Sequence, residues 1–345
     1  MKQIATLALL AAASAAASAQ TSSVTLFGIL DAGVRHVKNG DDSITSQSSN
    51  GLNTSRLGVR GTEDLGGGLQ AGFWLETGIN PDSGSQSDGT RFWNRRSTVS
   101  LISSSLGEVR LGRDYSPTYT GYADYDAFGT NGVADASKFV TALGTAVDTN
   151  VRADNMVSYF LPTSLGGVYG QVSVAAGEGV TGKKYYGGRL GYRAGPLDVS
   201  GSIGQTTVAP NAAGEDKFKM YDIGAAYDFG VVKLTGYYSQ QKFDQLKVGI
   251  ANVGALVPVG PGRVRVSYVH VNASGSTAAG VDTDANDANQ LALGYIYDLS
   301  KRTALYGTVA RVNNKGGAAF AVAGGPTLLA GRDSTGYEFG LRHSF

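Results

Sequence analysis

The chain of 345 residues contains no cysteine, only 8 prolines and no clear excess of either charge. Without cysteine there can be no disulfide framework, thiol nucleophile or cysteine-based metal site. Lysine and arginine together number 29 against 28 acidic residues, so the overall charge does not point to a nucleic-acid partner. Beyond the N-terminus, no apolar run approaches the roughly 20 residues of a membrane helix. The sequence therefore excludes helical membrane spans.

The first 19 residues have the pattern of a secretory signal peptide. Lys2 gives a positive start, an alanine- and leucine-rich stretch follows, and Ala17-Ser18-Ala19 forms an A-x-A cleavage site. We predict cleavage before Gln20, with a retained N-terminal anchor as the alternative. Residues 20–345 are then expected to form a single domain.

What the sequence does contain is glycine, tyrosine and short alternating segments. Glycine accounts for 50 residues and tyrosine for 18. Clusters of Gly, Pro, Asp and Ser of the kind that closes β-hairpins separate pairs of alternating segments. Seven such turns are predicted, at residues 64–68, 104–107, 163–167, 193–196, 228–230, 257–262 and 298–302. With a first and a last strand outside them, they predict sixteen strands.

The alternation indicates strands whose two faces meet different surroundings. At the C-terminus, one face carries Tyr337, Phe339, Leu341 and Phe345, and residues of opposite parity include Glu338. Apolar residues alternate in this way with Arg, Glu, Asp and Gln on strand after strand, which favours lipid outside and water inside. A bilayer admits only helices or closed barrels. We therefore predict an all-β fold, a transmembrane antiparallel β-barrel of about 16 strands that the last strand closes.

Six motifs carry a resemblance to a known family: "VTLFGILDAGV", "SRLGVRGTEDLGGGLQAGFWLE", "NRRSTVSL", "GEVRLGRDYSPTY", "NMVSYFLP" and "YEFGLRHSF". Together they span the mature chain, and it resembles the trimeric, sixteen-stranded general bacterial porins, most of all their anion-preferring β-proteobacterial branch. The resemblance implies passive diffusion of small polar or anionic solutes across the Gram-negative outer membrane. It also implies a homotrimer in contact with lipid and lipopolysaccharide, and a C-terminal strand that the barrel-assembly machinery reads. No cofactor, metal or nucleic acid is implied.

The longest connector, residues 116–150, is too aromatic to be simply disordered. In the resembled family, the third outer loop folds into the barrel and narrows the channel, so this segment is expected to be the constriction loop. Its acidic candidates are Asp124, Asp126 and Asp135. The stretch "DAFG", residues 126–129, stands where the family has P-E-F-G, but Ala127 cannot supply the carboxylate of that motif.

Opposite this loop, the resemblance implies inward-facing arginines. Arg56 matches the family's R-L-G-x-K/R-G strand, and Arg152 opens the strand after the loop. For a third, the family motif selects Arg95, whereas alternation from Val99 and Leu101 selects Arg96; both are retained. Lys315, on a later outer loop, is a further candidate. Guanidinium groups at a constriction would focus positive potential and favour anions; alternatively, they only pair with carboxylates to hold the loop.

Enzymatic signatures are weak. Lys184 stands where the phosphate-loop pattern of "GEGVTGKK" needs a hydroxyl, and "VDTDANDAN" lacks the Gly and the bidentate Glu of a calcium loop. The sequence therefore predicts a channel without catalytic or metal-binding residues. Two other functions stay open: a barrel specialised for one solute class, such as organic acids or phosphate, and a secreted β-rich adhesin.

Overall fold

The computed structural model describes residues 22–277 and 279–345, so the predicted signal peptide, residues 1–19, lies outside the described residues. Eighteen strands are found in the described ranges: β1 Ser23–Asn39, β2 Asp42–Ser49, β3 Arg56–Gly66, β4 Leu69–Asn80, β5 Ser85–Gln86, β6 Arg96–Ser103, β7 Gly107–Tyr115, β8 Arg152–Phe160, β9 Val168–Ala175, β10 Lys184–Ala194, β11 Leu197–Thr207, β12 Lys217–Asp228, β13 Lys233–Phe243, β14 Leu246–Val259, β15 Gly262–Ser274, β16 Ala288–Asp298, β17 Thr303–Asn314 and β18 Ser334–Ser344. No helix in these ranges is long and apolar enough to cross a bilayer.

The strands form one closed antiparallel sheet with sixteen strand positions. β2 and β3 together occupy one of these positions, because β2 pairs with the C-terminal half of β1 and β3 pairs with its N-terminal half. β5 is a two-residue addition to β4, and β6 is the neighbour of β4 in the wall. All seven predicted turns join neighbouring strands at one end of the barrel, and the long loops lie at the other, here called the outer end. The prediction of an all-β barrel of sixteen strands is confirmed.

The sheet closes where β18 pairs with β1. The register runs from Ile29 opposite Ser344 to Asn39 opposite Ser334. Beyond it, the backbone of Phe345 exchanges two hydrogen bonds with that of Gly28, at 3.0 and 3.1 Å. The ring of Phe345 covers Gly28, and a Cβ at that position would lie only 2.3 Å from the ring. The last residue is therefore fixed, and the barrel has no free edge at this seam.

The two faces of the wall have opposite chemistry. On β12, Tyr221 and Ile223 face outward with exposed fractions of 41% and 59%, whereas Met220 and Asp222 face inward and are buried. The same alternation places the C-terminal row outside, as the sequence predicts: Tyr337, Phe339, Leu341 and Phe345 are all exposed. An apolar outer face is stable only against lipid or another protein surface.

Residues 116–151 connect β7 to β8 and fold into the barrel. The segment, called the inner loop below, starts with a short helix, α1 (Pro117–Ala123), whose first turn is capped by the Ser116 hydroxyl. Its aromatic side chains are buried against the wall: Tyr122, Tyr125, Phe128 and Phe139. This packing explains the aromatic composition of the loop and confirms the prediction that it folds inward.

Candidate functional site: the arginine constriction

Three of the predicted arginines meet around one carboxylate and one phenol. Arg95 donates from Nε to Oε1 of Glu76 at 2.5 Å, and Arg56 donates from Nη1 to the same oxygen at 3.3 Å. The Tyr115 hydroxyl accepts from Nη2 of Arg95 at 3.0 Å and from Nη2 of Arg152 at 2.6 Å. We call these three arginines, with Glu76, the arginine cluster. It holds three positive charges against one negative charge.

An inward turn of the chain between β2 and β3 positions Arg56. The carboxylate of Asp31, on β1, accepts backbone hydrogen bonds from Gly51, Leu52 and Asn53, at 2.7–3.2 Å. These hydrogen bonds separate β2 from β3 and hold residues 50–55 inside the barrel. β3 therefore begins at Arg56, opposite Ile29 in the middle of β1, rather than at the outer rim.

The start of the inner loop supports the cluster from the side. The Tyr119 ring, on α1, stacks on Tyr115 with centroids 4.8 Å apart and planes at 11°, and Arg152 lies 4.2 Å from the Tyr115 ring. Burial raises the pKa of Tyr119 to about 12, so its hydroxyl stays protonated and bonded to Thr130 at 2.8 Å. The aromatic stack fixes the two guanidinium groups that share Tyr115.

Arg96 faces inward as well, but it belongs to a separate group nearer the turn end of the barrel. It stacks on Trp74 at 4.5 Å and lies 3.5 Å from Asp114. Arg110 pairs with Asp114 at 2.7 Å and with Glu108 at 2.8 Å. Both Arg95 and Arg96 thus face into the barrel, but only Arg95 belongs to the arginine cluster with Arg56. Position 95 precedes the regular part of β6, so strand parity does not govern it.

Further arginines extend this wall, and the sequence analysis did not select them. Arg113 pairs with Asp154 at 2.6 Å, and Arg91 pairs with Asp154 at 3.2 Å and with Asp88 at 3.5 Å. Hydrogen bonds from Thr90 hold the pKa of the Asp88 carboxyl down, at about 2. These basic groups are matched by carboxylates, whereas the arginine cluster holds three guanidinium groups against one carboxylate. Strand alternation could have identified two of these residues. Arg110 lies between the outward-facing Val109 and Leu111 and must therefore face inward, and Glu76 follows the outward-facing Leu75.

The acidic residues of the inner loop do not meet the arginine cluster. Asp124 pairs with Arg189 on β10 at 2.6 Å. Asp126 accepts backbone hydrogen bonds from Phe128 at 3.1 Å and Thr130 at 2.8 Å, and burial raises its pKa. Asp135 accepts from the backbone of Ser137 at 2.7 Å. Among the described residues, these carboxylates have contacts that shape the loop or attach it to the wall.

Lys315 lies apart from the other candidates. Its exposed side chain follows the last residue of β17, at the outer end of the barrel, whereas Arg56 lies opposite Ile29 in the middle of β1. The structure therefore does not bring it to the arginine cluster.

A closed barrel with an apolar exterior, a charged interior and a loop folded inside it is the architecture of a channel through the outer membrane. The model of the Gram-negative porin family matches residues 5–317. The chain belongs to that family and is an outer-membrane porin. It is 42% identical to outer membrane porin protein 32 of Delftia acidovorans over 368 residues, which cover 100% of this chain and 99% of the relative.

Solved structures agree with this assignment. An anion-selective porin from Comamonas acidovorans is 38% identical, with a TM-score of 0.84 over 94% of this chain and 100% of its own. OmpT of Vibrio cholerae, solved in a trimer form, is 16% identical with a TM-score of 0.67, over 94% of this chain and 100% of its own. The second match supports the fold alone.

Proposed function

We propose that this porin is a passive diffusion channel for small hydrophilic solutes with a preference for anions, and that the arginine cluster is its filter. The observation that carries the proposal is that Arg56 and Arg95 share the carboxylate of Glu76, while Arg95 and Arg152 share the hydroxyl of Tyr115. In a narrow, low-dielectric passage, such an excess of fixed positive charge lowers the barrier for anions. The similarity to an anion-selective porin from Comamonas acidovorans supports the same reading.

The mechanism requires weak contacts and no chemistry on the solute. Guanidinium groups stay charged at any physiological pH and offer several donors in a plane, so a carboxylate, phosphate or chloride can pass from one to the next. Tyr115 and Glu76 occupy part of the donor capacity and hold the groups in place. An anion is therefore attracted without being bound tightly enough to block the channel.

Planar-bilayer recordings of the purified protein test the channel itself. We expect stable ohmic current steps in KCl and, in a salt gradient, a reversal potential whose sign corresponds to chloride preference. Absence of current steps would refute the channel, and a cation-selective sign would refute the filter. A current that saturates with one organic acid or with phosphate, but not with chloride, would favour the solute-specific alternative.

We also propose a homotrimer in which the outward faces of β1, β3, β4, β6 and β7 meet neighbouring subunits. Those faces are exposed and mainly aliphatic, as at Leu26, Val99 and Leu101. Exposed tyrosines, which favour the boundary between lipid and water, lie instead on later strands: Tyr159, Tyr186, Tyr192, Tyr221, Tyr227, Tyr238, Tyr268, Tyr297 and Tyr337. The tyrosine-bearing strands are thus assigned to lipid and lipopolysaccharide.

Two further assignments belong to the same proposal. Residues 1–19 are assigned as a cleaved signal peptide and residues 20–345 as one barrel domain. The exposed row Tyr337, Phe339, Leu341 and Phe345 is assigned as the segment that the barrel-assembly machinery reads, because it is accessible on the outer face where the barrel closes.

A further inference from the structure

Arg265 is a charged side chain buried under the tip of the inner loop. It lies on the inward face of β15, three positions after Gly262 at the turn end, and only 3% of its surface is exposed. Its guanidinium carbon lies 4.4 Å from the centre of the Phe128 ring, so the loop tip covers it. Leu256 is opposite it on β14. A positive charge in such surroundings is costly unless a partner compensates it.

No side chain in the described ranges, 22–277 and 279–345, donates to or accepts from the buried nitrogens of this group. Nε and Nη2 of Arg265 are both buried and have no hydrogen-bond partner there. Asp126, the acid of the loop tip, accepts instead from two backbone N–H groups of the loop itself. Two positions earlier on the same face of the strand, Arg263 is more exposed and pairs with Asp298 at 3.1 Å. The two neighbouring arginines thus differ in burial and in counter-charge.

Two hydroxyl groups on the same part of the wall are also buried without a partner in those ranges. They are Oγ of Ser267, the next inward residue of β15, and Oγ1 of Thr308 on β17. Arg265 is opposite Gly294 on β16, and Gly294 is opposite Thr308. The sheet register therefore places two N–H groups and two hydroxyls around the inward side of Gly294.

Gly294 leaves this part of the wall without a side chain. A Cβ at that position would lie 3.1 Å from Oγ1 of Thr308 and 3.1 Å from Cε1 of Phe128. The loop tip thus comes down on the glycine between the guanidinium group and the hydroxyl. All the unpartnered nitrogens here are donors, and a hydroxyl can turn its hydrogen toward an acceptor.

We propose that a small inorganic anion, a halide such as chloride, binds at this place between the loop tip and the wall. Arg265 supplies the counter-charge and two N–H donors, and the hydroxyls of Ser267 and Thr308 donate to the same ion. A monatomic anion accepts from donors in any direction, which suits a narrow place lined from three sides. Because Phe128 covers the site, the ion holds the loop tip against the wall and takes no part in selecting the solutes that pass the arginine cluster.

Bromide, which can be located by its anomalous X-ray scattering, is the first probe. Crystals of the full-length protein prepared with bromide in place of chloride should show an anomalous peak beside the guanidinium group of Arg265. The peak should be absent in Arg265→Met, which has an apolar side chain without donors. It should persist in the matched control Arg263→Met, which removes the paired charge two positions away. No peak in the unmodified protein, or an equal peak in Arg265→Met, would overturn the proposal.

Thermal unfolding in detergent tests the site in solution. The midpoint of the unmodified protein should be about 2–4 °C higher in sodium chloride than in sodium gluconate of equal ionic strength, because gluconate is too large for the site. The difference should disappear in Arg265→Met and remain in Arg263→Met. Arg265→Lys should keep part of it, which separates loss of the anion from general destabilisation. A bromide peak without this difference would mean binding at crystal concentration only and would also refute the site.

Two further variants separate the site from other sources of charge. If Asp126 neutralised Arg265, the chloride effect would be absent from the unmodified protein and would arise only in Asp126→Asn, which would contradict the proposal. The variant Arg56→Ala, Arg95→Ala, Arg152→Ala should keep the chloride effect on the midpoint. The result is therefore independent of the channel filter, and either idea can fail without the other.

Discussion

Glu76 determines the net positive charge of the arginine cluster, because its carboxylate neutralises one of the three guanidinium charges. Its Oε1 accepts from both Arg56 and Arg95, so it is the one carboxylate among three guanidinium groups. Its role combines two opposing effects: it positions the arginines, and it cancels one of their charges. The side chains of Arg95 and Glu76 are only 9% and 8% exposed, so solvent screens this pair poorly.

We expect Glu76→Gln to increase the anion-to-cation permeability ratio. The amide oxygen can still accept a hydrogen bond, while the net charge of the cluster rises from two to three. One unit charge about 7 Å from the ion path is worth about 0.6 kcal/mol in water for each ion, with opposite sign for anion and cation, so the ratio should change about sevenfold. Reversal potentials in a KCl gradient measure it. Glu178→Gln, in an outer loop, is the control, and an unchanged or reduced ratio for Glu76→Gln would contradict the electrostatic account.

Lys138 is the buried base of the inner loop. Its Nζ donates to the backbone oxygen of Val133 at 2.9 Å and to Oε1 of Gln290 at 2.6 Å, which joins the loop to β16. Desolvation lowers its pKa from 10.5 to about 8. Between those two values, the unfolded chain binds more protons at this site than the folded protein does, so the free energy of unfolding rises with pH.

Thermal unfolding as a function of pH tests this linkage. The midpoint of the unmodified protein should rise relative to Lys138→Met between about pH 8 and 10.5, since the variant cannot titrate there. The pKa difference limits the effect to at most about 3 kcal/mol. Parallel pH profiles for the two proteins would show that the lysine is not buried as described.

At the scale of elements, the inner loop depends on a buried ion pair in the seam of the barrel. Arg35 on β1 pairs with Glu338 on β18 at 2.7 Å, and the other oxygen of Glu338 accepts from the backbone of Val133 at 3.0 Å. Gly132 has a φ of +70°, and a Cβ there would meet the Glu338 carboxylate. The carboxylate of Glu338 thus contacts both the barrel seam and the inner loop.

Glu338→Ala should destabilise the protein by about 3–5 kcal/mol, because it leaves Arg35 buried without its partner. It should also release the loop at Val133, which would appear as added noise in the open-channel current. The double variant Arg35→Ala, Glu338→Ala should recover part of the stability, since no unpaired charge remains. If its loss equals the sum of both single losses, the coupling described here does not exist.

The elements that the sequence predicts well are those set by local rules. The seven turns follow from Gly, Pro, Asp and Ser, and the strand faces follow from period-two alternation. The break between β2 and β3 was not predictable, because it depends on the distant carboxylate of Asp31. Alternation correctly predicted that Arg96 faces inward, but it could not predict the inward direction of Arg95, because parity holds only inside a regular strand. Tertiary contacts decide where such irregular segments point.

At the scale of the whole molecule, the contrast between the two sides of the barrel predicts its neighbours. Leu26 and Leu101 have exposed fractions of 62% and 50% in the single chain, and Ile223 and Leu293 have 59% and 51%. The four positions are thus equally accessible in one subunit. Only assembly can make them differ, because the first two lie on the proposed subunit face and the last two on the proposed lipid face.

The absence of cysteine makes this contrast easy to measure. In single-cysteine variants, Ile223→Cys and Leu293→Cys should react readily with a membrane-soluble maleimide, whereas Leu26→Cys and Leu101→Cys should react much more slowly. Unheated protein should also migrate on gels as a species of three subunits. Equal labelling at all four positions would argue against the proposed interface.

We propose that the excess of positive charge at the arginine cluster, rather than the near-zero net charge of the chain, sets the selectivity of this porin. The measurement that tests it most directly is the reversal potential in a KCl gradient for three proteins. These are the unmodified protein, the variant Arg56→Ala, Arg95→Ala, Arg152→Ala, and a charge-matched control, Arg193→Ala, Arg263→Ala, Arg311→Ala. We predict anion preference in the first and the third, and its loss or inversion in the cluster variant, where Glu76 remains alone. Anion preference that persists without the cluster would contradict the account.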